Sequence, residues 1–364
     1  MTSSIEELLA KWDGEAVVTR YDAQHDAYLF IGVHSTALGG AAGGTRMRIY
    51  ERPADALADT MRLAEGMTFK MAAAGLPAGG GKAVLAVPRL PIGTQRRDLL
   101  LRYADLIESL HGTYRTGPDM NTSAADMDVI GERTQHVFGR TPEHGGAGSS
   151  APDTAVGVYH GIRAACAHAF GSPELAGRSV LVQGLGGVGR VLLDLLARDG
   201  ARLLVTDIDP DRVAEAQRAA GATPVAMEDA LSTPCDVLSP CAVGGLLTAQ
   251  SIPALRCRVV AGAANNQLAV RDDARRLTEA GIVYAPDFVI NSGGALHLFG
   301  LELLGWSAEE LAAKLAGVGA TLTEIFRTAD AQGLTTRDAA EALAQGRLDA
   351  ARPSAQPSPP RPSA

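Results

Sequence analysis

At 364 residues, 46% of them hydrophobic and 20% charged, the chain is long enough for two domains with sizeable cores and does not have a disordered composition. A formal net charge of −8 leaves no basic face for a nucleic-acid backbone. No apolar run reaches the ~20 residues of a membrane-spanning helix, so the expected partner is a small molecule rather than a nucleic acid or a membrane. In chain order, the acidic N-terminal segment MTSSIEELLAKWDGE lacks the basic start and apolar core of an export signal, which makes the cytoplasm the expected address. Strand-like segments follow at 16–20, 27–33 and 82–87, with helical spacing at 54–65 and 96–110. The stretch FGRTPEHGGAGSSAPD (138–153) reads as a linker or loop, and 154–170 as a helix. Residues 179–207 then read as strand, tight glycine turn, helix, strand, which is a βαβ unit. Short apolar strands recur at 237–238, 259–261 and 282–285, helical patterns at 308–327 and 336–347, and a Pro/Ser-rich tail from 352 reads as disordered. The alternation implies an α/β chain with a parallel, doubly wound sheet. Two domains are expected: a substrate domain at 1–148, with the helices at about 330–350 free to pack back on it, and a Rossmann-type dinucleotide domain at 149–329, with a cleft between.

GLGGVG at 184–189 sits between the strand SVLVQ and a helix. Gly184 suits the tight turn, Gly186 admits a pyrophosphate close to the backbone, and Gly189 lets the helix pack on the sheet. Phosphates at a helix N-terminus meet free N–H groups and the positive end of its dipole. Asp207, 23 residues after Gly184 at the end of the next strand, is placed to accept bonds from ribose hydroxyls. Its charge repels a 2′-phosphate, which favours NAD over NADP; the nearby Arg212 is the one feature against this.

Only four of the 33 basic residues are lysines, at 11, 70, 82 and 314. In a chain that otherwise uses arginine, a lysine invites the question of chemistry that arginine cannot do, because burial can turn an ammonium into a neutral base. Lys70 and Lys82 share the stretch GMTFKMAAAGLPAGGGKAVL, whose glycines are expected to let the chain close around a small substrate. A phosphate-binding GxxxxGK[ST] loop is excluded by Leu76 and Ala83. Asp119, in TGPDMNTSAADMD, follows Gly-Pro turn chemistry. It is either a reacting carboxylate or a helix cap, with Asp126 and Asp128 on the solvated face of that helix. The four cysteines form no CxxC pair and no zinc spacing, so reduced thiols and no metal are expected.

The segments AAGGTRM (41–47), GMTFKMAAAGLPAGGGKAV (66–84), GPDMNTSAADMD (117–128), SSAPDTAVGV (149–158), VQGLGGVG (182–189), PCAVGG (240–245), AGAANNQL (261–268) and YAPDFVINSGGALHL (284–298) together resemble the glutamate, leucine, phenylalanine and valine dehydrogenase family. They occur in that family's order and cover most of the chain from about 14 to 330. The resemblance implies that Lys70 binds the substrate carboxylate, with Gly44, Met67 and Pro118 at the same end. Lys82 resembles the catalytic lysine, and Asp119 the carboxylate that moves protons to and from the amino group. Thr154 matches the residue that holds the nicotinamide carboxamide, and Asn265 lies beside the nicotinamide ribose and the substrate amine. Gly184, Gly186, Gly187, Val188, Gly189, Asp207 and Ala242 complete the NAD set. A homo-oligomer of unspecified order is also implied.

The chemistry matches these roles. Loss of hydride from Cα leaves an iminium ion, which water must attack with the help of a base of suitable pKa. Lys82, depressed by burial and by the Lys70 charge, is expected to be that base. His297 is a rival base or else a packing histidine. No extra lysine is present in the matching segments to hold a glutamate side chain, so an apolar substrate is expected. By resemblance the side-chain wall is Ala42, Gly117, Ala295 and Leu298, and aliphatic-specific relatives carry larger residues at the first three. Small residues there are expected to leave room for an aromatic ring, which points to phenylalanine, with leucine or valine as the alternative. Two other classes remain: a non-catalytic NAD-binding protein, against which the retained Lys70, Lys82, Asp119 and Asn265 argue, and a 2-hydroxy-acid dehydrogenase, which needs a positioned histidine with an acid partner.

Overall fold

The computed structural model describes residues 5–352, so the expected tail beyond Arg352 lies outside the described residues. Two sheets organise the chain. The first contains β1 (Ala16–Asp22), β2 (Ala27–Ser35), β3 (Ala41–Arg48), β4 (Gly79–Ala86) and β5 (Tyr114–Pro118), in the order β1-β2-β4-β3-β5. β2 runs antiparallel to β1 and β4, whereas β3 is parallel to β4 and β5. Its helices are α1 (Ile5–Lys11), α2 (Pro53–Ala74), α3 (Gly93–Glu108) and α4 (Ala124–Ile130). Alternation along β2 divides the two faces of the sheet. Leu29, Ile31 and Val33 pack with Leu99, Leu100 and Tyr103 of α3, and Phe30 packs with Ala56, Leu57 and Met61 of α2.

The second sheet is wholly parallel: β6 (Ser179–Gln183), β7 (Arg202–Thr206), β8 (Thr223–Pro224), β9 (Val237–Pro240), β10 (Val259–Val260) and β11 (Val283–Tyr284), ordered β11-β10-β9-β6-β7-β8. The order reverses between β6 and β9, and such a switch point opens a crevice at the C-terminal ends of the strands. α5 (Ala151–Phe170), α6 (Gly187–Arg198), α7 (Pro210–Ala220), α8 (Asp273–Glu279), α9 (Asp287–Ile290), α10 (Gly293–Leu298), α11 (Ala308–Gln332) and α12 (Thr336–Ala351) belong to this half of the chain. α12 nevertheless reaches back to the first half. Arg347 donates to the carbonyls of Ala72 and Ala73, both at 2.8 Å, and so caps the C-terminal end of α2. Among the described residues, no helix is long and apolar enough to cross a membrane.

In the glycine-lysine stretch, two elements are longer than the sequence suggested. α2 continues to Ala74 through GMTFKMAAA, and β4 begins at Gly79 rather than at residue 82. The reason lies in what surrounds the glycines. A Cβ on Gly79 would sit 1.9 Å from the Ser35 carbonyl oxygen, one on Gly80 would sit 2.1 Å from the Thr68 backbone nitrogen, and one on Gly81 would sit 2.8 Å from the Tyr114 ring. These glycines therefore make room for α2 and the neighbouring strands, not for a substrate. Their effect is to bring α2 and β4 close together, and the two lysines with them. Gly80→Ala is expected to lower stability by about 3 kcal/mol, because the clash is with backbone that has no rotamer to change. Chemical denaturation measures it; a loss under ~1 kcal/mol would show that α2 has room to shift.

Candidate active site

Lys82, on β4, is only 5% exposed, and its Nζ lies 3.1 Å from Asp119 Oδ2. Asp119 follows β5 directly, and its Oδ2 also accepts from Arg46 Nε at 3.0 Å. Gly44 permits this approach, since a Cβ there would come within 2.8 Å of the Asp119 Cβ. The helix-cap reading of Asp119 does not hold. Ser123 caps α4 in a reciprocal capping box with Asp126. Asp126 is buried and takes Arg96 Nε at 2.6 Å, and Asp128 takes Arg140 Nε at 3.3 Å, so neither lies on a solvated face.

Lys70, on α2, points to the second half of the chain. Its Nζ donates to Asn265 Oδ1 at 3.3 Å, and the same oxygen accepts from Asn291 Nδ2 at 2.7 Å. Asn291 also donates to the Ala263 carbonyl at 3.1 Å, and Asn266 holds the turn in a left-handed conformation with φ 51°. Burial pushes Lys70 down to about 8; the nearby Lys82 charge adds to this, and Asp287 and Asp119 oppose it. Burial likewise lowers Lys82, against the pull of Asp119. Arg46 is a second cation that reinforces this, beside the Lys70 charge expected from sequence, whose repulsion with Lys82 is mutual. Burial works to raise Asp119, but the Lys82 and Arg46 charges outweigh it and hold the carboxyl below the usual carboxylate range.

The glycine turn stands at the C-terminal end of β6. Gly184 has φ 97°, and a Cβ on it would meet that of Ala242 at 2.7 Å. Gly189 lies against the Gly184 carbonyl, 1.9 Å from where its Cβ would be. Nothing lies within 4 Å of a Cβ on Gly186, which begins the 12-residue α6 without a side-chain cap. Gly187 is exposed and Val188 half-buried, so backbone donors at the start of α6 face open space, as a pyrophosphate requires. Asp207 Oδ2 accepts from Leu185 N at 2.5 Å, and its Oδ1 from Asp209 N at 2.9 Å. The carboxylate thus fastens the turn to β7, and each oxygen keeps a lone pair for a hydroxyl. Arg212 is drawn to Asp209 at 3.2 Å and stands 3.9 Å from Asp207. Thr154, on α5, donates to the Ser150 carbonyl at 2.9 Å. A Cβ on Gly294 of α10 would come within 3.0 Å of its hydroxyl.

The side-chain wall differs from expectation. Ala42 is fully buried within the core. A Cβ on Gly117 would lie 2.2 Å from the Phe138 ring, which is 5% exposed and packs on Phe299 at 5.1 Å between centroids. The volume that Gly117 leaves is therefore occupied by Phe138. Pro118 and Leu298 meet around Gly139, and Ala295 and Leu298 are half-buried on one face of α10. Met67 approaches Gly43. His297 is buried and locked to α5, with Nδ1 2.5 Å from Asp153 Oδ2. Sequence reasoning missed Arg46, Asn291 and Phe138. Arg46 stands inside a matched segment, but one arginine among many carries no signal by itself.

Residues 20–136 match the Glu/Leu/Phe/Val dehydrogenase dimerisation domain, and residues 205–354 match the Glutamate/Leucine/Phenylalanine/Valine dehydrogenase family. The chain belongs to this family. It is an amino-acid dehydrogenase. It is 40% identical to leucine dehydrogenase from Geobacillus stearothermophilus, over 95% of this chain and 94% of that one. To valine dehydrogenase from Streptomyces albus it is 42% identical, over 93% of each. The crystal structure of L-tryptophan dehydrogenase from Nostoc punctiforme superimposes with a TM-score of 0.84 at 37% identity, covering 95% of this chain and 99% of that one. These relatives favour the leucine or valine alternative over the phenylalanine expectation.

The lowered Lys70 has a consequence for stability. Lys70 has an ordinary value of 10.5 when unfolded and about 8 when folded, so folding disfavours its charged form. The penalty is fully present below pH 8 and is relieved as pH rises towards 10.5. Lys70→Met is expected to unfold at a higher temperature than the parent at pH 7, with a gap that narrows between pH 8 and 10.5. A gap independent of pH would show that packing, not charge, makes the difference.

Proposed function

We propose that this dehydrogenase oxidatively deaminates an apolar L-amino acid, leucine or valine before phenylalanine, with NAD as hydride acceptor. The observation that carries this reading is the buried Lys82 paired with Asp119, with the half-buried Lys70 in their field and reaching Asn265. Lys70 binds the substrate carboxylate, and Asn265, already in contact with Lys70, orients the amino group. Asp119 takes a proton from the substrate ammonium. Bound NAD supplies the hydride acceptor at Cα and leaves a C=N iminium on the substrate. Lys82 in its neutral form then removes a proton from the attacking water, and Asp119 returns one to the departing ammonia. The two lysines need different protonation states, and the structure gives them different partners: Lys70 has Asn265 and the Asp287 charge, Lys82 has Asp119 and the Arg46 charge. NAD rather than NADP fits Asp207, because a 2′-phosphate would face its carboxylate while Arg212 is held by Asp209. A homo-oligomer belongs to the same reading, since residues 20–136 match a dimerisation domain.

Preference for an aliphatic side chain is supported by the relatives and by Phe138, which fills the space above Gly117. An aromatic substrate is the second reading, favoured by the small Ala295 and by the likeness to an L-tryptophan dehydrogenase. The test is NADH formation by purified protein with a panel of L-amino acids. Leucine or valine is expected to lead in kcat/KM, and a lead by phenylalanine or tryptophan would reverse the order of the two readings. Lys82→Ala is expected to lose ~100-fold or more in kcat, and Lys70→Ala to lose mainly in KM. Near-normal turnover in Lys82→Ala would remove its role. Phe138→Leu is expected to raise kcat/KM for phenylalanine relative to leucine; an unchanged ratio would place Phe138 outside the side-chain pocket.

A further inference from the structure

The acid-base pair is the inner end of a longer line of alternating charge. From Asp119 Oδ2, which faces Lys82, the line passes to Arg46 Nε at 3.0 Å, and from Arg46 Nη1 to Asp59 Oδ2 at 2.9 Å. Asp59 Oδ2 also accepts from the Tyr50 hydroxyl at 2.7 Å, and its Oδ1 from Arg62 Nη2 at 2.7 Å. Arg62 Nη1 in turn donates to Asn266 Oδ1 at 3.4 Å, beside the Asn265 that meets Lys70. Lys82 is 6% exposed as a side chain, Arg46 and Asp59 are 13% each, and Arg62 is 54%, so the line runs from the interior to solvent. Among the described residues, Arg46 alone touches both carboxylates. Asp59, on α2, is bonded to Arg46, Tyr50 and Arg62, and it occupies the Arg46 group that would otherwise be free to turn wholly to Asp119.

We propose that Asp59 is a positioning residue which, through Arg46, sets the orientation and charge balance of the Asp119–Lys82 pair. The proposal rests on the reading of that pair as the groups that move protons. The charges facing the pair are Lys70 and Asp59 from α2, with Arg62 behind Asp59, Arg46 from β3, and Asp287 on the Lys70 side. Asp59 opposes the lowering of Lys82 that burial and Arg46 produce. The Tyr50 and Arg62 hydrogen bonds hold Asp59 below the usual carboxylate range although burial works against them, so its charge is in place at neutral pH.

Removing that charge leaves Lys82 with less to stabilise its ammonium, and removing the Arg62 charge does the opposite. Asp59→Asn is therefore expected to move the acid limb of the kcat/KM profile to lower pH by about half a unit or more, with a kcat about tenfold lower. Arg62→Gln is expected to move it to higher pH by a smaller amount, because Arg62 is solvent-screened. Asp59→Glu is expected to restore the parent limb. Opposite shifts are not produced by a structural strut. Unmoved limbs in both variants, with loss confined to thermal stability, would overturn the proposal. Should Asp59→Asn not fold, Arg62→Gln decides alone: an upward shift supports, and none overturns. The rate of Lys82 acylation against pH, resolved by peptide mass spectrometry, gives a readout without turnover. Shifted labelling in a protein that forms no NADH would uphold the charge line and sink the dehydrogenase reading instead.

Discussion

A buried lysine, Lys82, and a guanidinium, Arg46, share the carboxylate of Asp119, with the half-buried Lys70 in its field, and much of the local architecture follows from that. Taking a charge out of water is costly unless a partner and hydrogen bonds replace the solvent. Lys82 has Asp119, which is shared with Arg46, and Arg46 is in turn balanced by Asp59. Lys70 has only the Asn265 amide oxygen within hydrogen-bond distance and the more diffuse fields of Asp287 and Asp119. Both lysines are consequently easier to deprotonate than in water. Arginine at position 82 would stay charged and provide no base, which is a physical reason for lysine there in a chain with 33 basic residues that are mostly arginine.

That convergence needs three backbones to approach more closely than side chains allow. Gly79, Gly80 and Gly81 let α2 and the neighbouring strands close on β4, and Gly44 lets β3 close on the chain after β5. The glycines are therefore part of the electrostatics at one remove: by shortening the distance between α2 and β4 they bring Lys70 into the field of Lys82. The two halves of the chain meet over the same residues. Lys70 reaches Asn265, Arg62 reaches Asn266, and Glu302 accepts from the backbone N–H groups of Gly139 and Ala147 in the connecting segment. The segment that reads as a plain linker in the sequence is thus fastened by both carboxylate oxygens of one glutamate.

Much of this was legible beforehand, and the failures share a cause. The βαβ unit was readable because a glycine turn, a helix and an acid at the next strand end are local features with fixed spacing. The α2 helix was cut short at residue 65 and β4 started late because glycine lowers both propensities, and only the tertiary clash with Ser35, Thr68 and Tyr114 shows why glycine must be there. β3 and β5 were not singled out as strands, since AAGGTRMR and YRTGP carry neither β-branched runs nor clear alternation. Lys70 and Lys82 stand out by the scarcity of lysine and Asp119 by its turn, and the family resemblance adds their roles. Arg46 and Asp59 do not stand out, because a surface-type ion pair and a buried relay look identical in one dimension.

The side-chain pocket shows the same limit from the other direction. Counting small residues along the wall treats the volume they free as available to a ligand, but protein interiors are close-packed and vacated space is taken by whatever side chain can reach it. Phe138 lies 21 residues after Gly117 in sequence and directly over it in space, held there by Phe299 on one side and by the turn at Gly139 on the other. A glycine in a wall therefore reports a close neighbour as readily as an empty space. On the proposed reading, Phe138, Pro118, Ala295 and Leu298 together shape the side-chain pocket, so no single one of these positions identifies the substrate.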